Sequence, residues 1–176
     1  MYDEKTIRVY QAYSNTIADE AVRLGTFGTS FKLTRMTWIK PSFLWMMYRS
    51  GWGTKEGQER ILAIDMKREG FDYIVNNSVI SSFHKEIHGT HEEWKRMLEK
   101  SDIRCQWDPD RDIYGSPQKQ RTIQLGIKGK ISKSYVHDWI TKITDITHEV
   151  NAIREAMKTN RDVYNILPSE IEYHTE

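Results

Sequence analysis

A chain of 176 residues is short enough to fold around one core, so residues 1–176 are expected to form a single domain. With 26 Lys and Arg against 25 Asp and Glu the formal charge is +1; no global field selects nucleic acid or a membrane surface, and any anion site has to be local. The one cysteine, Cys105, excludes an internal disulfide framework and multi-cysteine metal sites. Together with the polar start MYDEKTIRVY and the lack of any apolar run near the roughly 20 residues of a membrane helix, it leads us to expect a cytoplasmic protein.

Ile7, Val9, Gln11 and Tyr13 alternate with Arg8, Tyr10 and Ala12, a period of two that predicts a strand using both faces. A helix is expected next, capped by Ser14 or Asn15, burying Ile17, Ala18, Ala21, Val22 and Leu24, and ending at Gly25. The stretch RMTWIKPSFLWMMYRSGW (residues 35–52) then surrounds Arg35, Lys40 and Arg49 with aromatic and other apolar side chains. Pro41 suits the first position of a second helix, and Gly51 suits its end after Ser50. On that helix Ser42 and Arg49, seven residues apart, share a stripe with Trp45. Arg35 and Lys40 fall on the strand or turn that enters it.

Residues 60–66 (RILAIDM) predict a strand and 71–77 a short helix. Thr90-His91-Glu92-Glu93 has the form of a capping box and opens a helix through Trp94, Met97 and Leu98. Residues 103–107 and 121–127 predict strands on either side of a mobile loop, DPDRDIYGSPQKQ (108–120). A long helical region is expected from about Tyr135 to Lys158. Strands mixed with helices indicate an α+β fold.

A buried Arg or Lys without a partner is destabilising, so the cations of residues 35–52 require carboxylates, carbonyls or a bound anion. One reading pairs them internally with Asp65, Asp19 or Glu20 and leaves the aromatic residues as core. The other makes them a phosphate-binding and ring-stacking wall, because guanidinium forks match phosphate oxygens and Trp or Tyr faces accept flat heterocycles. His84, His88 and His91 have the i, i+4, i+7 spacing of a helical zinc face, but Gly89-Thr90 interrupts it, and no metal is expected. Cys105, on a strand, reads as an inert thiol. Ser42 lacks the Gly-x-Ser-x-Gly elbow and reads as a helix-start or ligand hydroxyl. GTKEGQ (53–58) matches neither the P-loop nor the dinucleotide fingerprint, which argues against those nucleotide folds. Alternation places Thr122 and Gln124 on one strand face, either solvated or functional.

The segments VYQAY (9–13), RMTWIKPSFLWMMYRSGW, GQERILAI (57–64), QWDPDRD (106–112) and RTIQLGIKG (121–129) resemble an uncharacterised microbial family, the domain of unknown function family numbered 4291. The chain is further similar to the ADP-ribosyltransferase superfamily, whose small α+β domains bind NAD in a cleft between two short mixed or antiparallel sheets flanked by helices. That resemblance implies NAD as substrate and a protein or nucleic-acid acceptor. It places Gln11 where a His often stands, with Arg8 as an alternative, and Tyr13 close by. It puts Arg35, Thr37 and Trp38 in the second unit, and Lys40, Ser42, Trp45, Tyr48 and Arg49 along the wall that would hold the nucleotide. Gln124 takes the late catalytic position, with Glu170 in LPSEIEY as its rival. The alternative is a nucleotide or nucleic-acid binding module without catalysis. An interaction scaffold, the third possibility, requires every one of these cations to pair internally.

Overall fold

The computed structural model describes residues 1–159 and 162–174. β1 (Thr6–Tyr13) pairs antiparallel with β3 (Arg60–Lys67), which pairs antiparallel with β7 (Ile140–Asp145). A second sheet has the order β2 (Thr37–Ile39), β6 (Pro117–Ile127), β5 (Ile103–Arg111), β4 (Val79–Ile80), with only β4 parallel to its neighbour. The result is an α+β architecture with two small sheets, as the sequence predicts. A backbone bridge joins the sheets, with Tyr10 N–H donating to Lys40 O at 2.7 Å.

The first sheet is covered on both faces, which explains the apolar character of both registers of β1. Ile7 and Val9 of β1 and Leu62, Ile64 and Met66 of β3 join a core containing Ala18 and Ala21 of α1 (Asn15–Leu24) and Ile39, Leu125 and Ile127 of the second sheet. The opposite face presents Tyr10, Ile61 and Ala63 to Phe43, Met46 and Met47 of α2 (Phe43–Ser50) and to Val150 and Ile153 of α7 (Thr147–Lys158). Burying one such side chain stabilises the fold by roughly 1.5–3 kcal/mol. Alternation along two neighbouring strands therefore holds α1 and α2 on opposite faces of one sheet.

Several expectations are corrected. Val22 and Leu24 of α1 are exposed, because the chain turns at Gly25, in the left-handed conformation, before they reach the core. Pro41 lies ahead of α2 rather than inside it; Ser42 is the N-cap, accepting from Trp45 N–H at 3.1 Å. The expected mobile loop 108–120 is mostly a hairpin, since β5 runs on to Arg111 and β6 begins at Pro117. The expected long helix from Tyr135 is broken into a π-helical turn (Tyr135–Trp139), the strand β7 and α7. The remaining helices are α3 (Arg68–Asn76), α4 (Lys85–His88), α5 (His91–Lys100), whose capping box forms as expected, and α6 (Gly129–Ser134).

Candidate functional site

Next to the Tyr10–Lys40 bridge, residues of both sheets and α2 line a cleft of about 740 Å³. Its base is a hydrogen-bond network around Gln11, which is only 2% exposed. The Gln11 amide nitrogen lies 2.9 Å from Tyr13 Oη, 3.0 Å from Thr37 Oγ1 and 3.2 Å from the Trp38 carbonyl, while its carbonyl oxygen accepts from Tyr135 Oη at 2.9 Å. Tyr13 Oη and Thr37 Oγ1 are bonded to each other at 2.8 Å. Both ends of the amide are thus committed within the protein, and Gln11 fixes β1 against β2. Burial pushes the Tyr13 and Tyr135 hydroxyls above the usual tyrosine range, so both stay neutral.

One wall carries the cations. Trp38 stands opposite Gly126 in the β2–β6 register, and a Cβ at Gly126 would meet Met36 Sδ at 2.8 Å and the Trp38 ring at 3.1 Å. The glycine is what lets this indole lie against β6. Lys40, 6% exposed, has Trp38 O as its hydrogen-bond acceptor at 3.4 Å and the Trp45 ring 5.7 Å from Nζ. Burial, reinforced by the charge of Arg49 and opposed by Asp108, lowers its pKa to about 7. Arg35 and Arg49 line the same cleft with exposed side chains. Hydration satisfies their charge, so the requirement for buried partners holds for Lys40 alone.

Internal pairing is not how these cations are balanced. Asp65 forms a two-point pair with Arg8 at 2.7 and 2.9 Å. Asp19 pairs with Arg60, and Glu20 accepts from the backbone N–H groups of Thr29 and Ser30. Among the described residues no ion pair forms at Arg35, Lys40 or Arg49, although Glu56 stands on the cleft rim. The scaffold reading, which needs those pairs, loses its basis.

Further along the same sheet, Gln106 and Gln124 also line the cleft and sit opposite each other across β5 and β6. Gln106 Nε2 donates to Asp108 Oδ1 at 2.9 Å and Gln124 Nε2 donates to Asp108 Oδ2 at 2.7 Å. The late-strand amide therefore holds a carboxylate that sequence reasoning missed. Its signal was present: in CQWD, alternation puts Gln106 and Asp108 on one face of a strand.

The cleft brings together Gln11, Tyr13, Arg35, Thr37, Trp38, Lys40, Trp45, Arg49 and Gln124. It leaves out four candidates. Arg8 is held by Asp65, and Tyr48 lies under the Arg111 guanidinium, 4.1 Å from the ring centroid. Ser42 and Glu170 line a second recess of about 640 Å³, where Ser42 Oγ donates to Asp110 at 2.8 Å and Glu170 accepts from Phe43 N–H at 2.7 Å. Glu170 is an exposed residue, yet its carboxyl group accepts from the start of α2, where desolvation raises its pKa to about 7. Glu170 is thus separated from the cation wall and does not compete with Gln124 for one position. The histidine face is interrupted as expected, with α4 ending at His88 and α5 starting at His91. Among the described residues no group of three or more His, Cys, Asp or Glu is arranged to hold a metal ion. Among the described residues no helix is long and apolar enough to cross a membrane.

No curated protein and no solved structure matches the chain. The family model for domain of unknown function 4291 covers residues 1–173, all of the cleft included, and the protein belongs to that family.

Proposed function

We propose that the cleft binds a nucleotide, with Arg35 and Arg49 on its phosphates, Lys40 deeper and the Trp38 face against a heterocycle. The observation that carries this reading is the set of three basic residues on one aromatic-lined wall with no carboxylate paired to any of them. Guanidinium–phosphate bonds are charge-assisted and contribute about 1.5–3 kcal/mol each. Titration calorimetry with NAD, ADP-ribose and a short single-stranded oligonucleotide is the test. Arg35→Ala and Arg49→Ala are each expected to weaken binding about tenfold or more, while melting temperatures stay close to wild type because both side chains are exposed. Absence of binding by all three ligands would remove this reading.

A second reading, transfer of ADP-ribose from NAD to a protein or nucleic-acid acceptor, is favoured by Asp108, which does not itself line the cleft but is held by two amides that do, Gln106 and Gln124. Cleaving the nicotinamide–ribose bond builds positive charge on the ribose, and a carboxylate held by two amides is preorganised to stabilise it. Gln124 then acts as a positioning residue for Asp108. Nicotinamide release from NAD is expected to fall at least a hundredfold in Asp108→Asn, a loss of about 3 kcal/mol, and less in Gln124→Ala. Glu170→Gln, outside the cleft, is expected to retain release. Undiminished release by Asp108→Asn would exclude this carboxylate as the reacting group.

A further inference from the structure

The most unusual side chain in the cleft is Lys40. A lysine is almost never fully buried unless it is paired, yet this one is 94% shielded, and no carboxylate approaches its ammonium within ion-pair distance among the described residues. Its surroundings are the Trp38 carbonyl, the Trp45 indole face and the charge of Arg49, with Asp108 as an opposing charge. Desolvation and a neighbouring cation are the two conditions under which a lysine becomes a neutral nucleophilic amine at ordinary pH. Structural cations are held instead by carboxylates, as the Arg8 and Arg60 guanidinium groups are here.

We infer that Lys40 is an amine nucleophile that forms an imine with an aldehyde or ketone whose anionic group is held by Arg35 and Arg49. The Nζ lone pair adds to the carbonyl carbon while the carbonyl oxygen takes up a proton, giving a carbinolamine. The proton on that oxygen is the first of the two Nζ hydrogens, and the second leaves with the departing hydroxyl, so that one water is released and a carbon–nitrogen double bond remains. Neither oxidant nor reductant is needed. The Trp38 carbonyl accepts one N–H of the amine and so orients its lone pair, a role that needs the amine in place before the substrate arrives. Placement of the anion on the arginines confines the reaction to carbonyl compounds carrying phosphate or carboxylate. The inference uses the cleft as an anion site and does not require the anion to belong to a nucleotide.

The test traps the imine in the wild-type protein at pH 7 with sodium cyanoborohydride, using glyoxylate as the anionic carbonyl probe and acetaldehyde as the uncharged one. Peptide mapping by mass spectrometry then locates the adduct without recourse to a variant. The expected result is a single carboxymethyl adduct at Lys40, formed at least tenfold faster than at any other lysine and slowed by saturating pyrophosphate, with a smaller preference for Lys40 when acetaldehyde is the probe. Lys40→Arg, checked for folding by circular dichroism, is expected to lose the adduct. Labelling spread evenly over surface lysines would overturn the inference, and Lys40 labelling that pyrophosphate leaves unchanged would overturn the anionic substrate class. Trapping at Lys40 in a protein that binds no nucleotide would support imine chemistry while removing the nucleotide reading, so the two fail separately.

Discussion

Lys40 shows how burial alters a residue that composition would count as an ordinary cation. In the unfolded chain its pKa is near the ordinary 10.5, and in the folded protein it is about 7. Between those values the unfolded chain binds the extra proton, so this residue lowers stability progressively as pH falls from 10.5 to 7, and by a constant amount below 7. Lys40→Met is therefore expected to raise stability near pH 7, by an amount on the order of a few kcal/mol, with the gain vanishing towards pH 10.5. Denaturant melts at pH 7 and pH 10 check this; an equal gain at both would show that packing, not charge, is responsible. The residue types of the cleft were legible in the sequence because residues 35–52 set three basic side chains among aromatic ones. Their division into exposed arginines and a buried lysine was not, since it depends on which side of α2 each one meets.

At the scale of elements, α2 is defined by its ends. Ser42 caps it and is tied by its hydroxyl to Asp110 of the hairpin, and Gly51 closes it at φ 60°. Ser42→Ala is expected to cost about 1 kcal/mol, read as a lower midpoint in urea with an unchanged slope, and to leave nucleotide affinity close to wild type, since Ser42 lies outside the cleft. A loss of affinity tenfold or greater would mean that the helix start reaches the ligand. The ends of α1, the Gly51 end of α2 and the capping box of α5 could be read locally, because caps depend on one or two residues. β7 could not: its residues ITKITD are half exposed and pair with β3 on one side only, so neither an apolar run nor clean alternation marks it. The charged hairpin arms were hidden for a related reason. Their strand character comes from partners across the ladder rather than from their own propensity. The same limit hid Asp108, whose role depends on Gln124, sixteen residues away and on the other arm.

For the whole molecule, the cleft depends on how two small sheets are set against each other; their shared apolar core fixes that setting, and beside the cleft they are tied by Gln11 with its partners and by a backbone hydrogen bond. Tyr10 N–H donates to Lys40 O, so the residue proposed as nucleophile is also the one through which the second sheet is attached to the first. Any rotation that widens the cleft must stretch this bond, which makes the Tyr10 amide a gauge of breathing between the sheets. Hydrogen exchange at Tyr10 is expected to be faster than at Val9 or Ile64, which sit inside the three-stranded sheet, and to slow several-fold when a ligand bridges Arg35 and Gln124. Exchange at Tyr10 as slow as at Val9, with or without ligand, would mean that the sheets move as one body. A bond that opens at the edge of a reactive amine also sets its access to solvent. On the proposed chemistry, an opening at this bond would wet Lys40 and favour its protonated form, so faster exchange at Tyr10 would go with a less reactive amine.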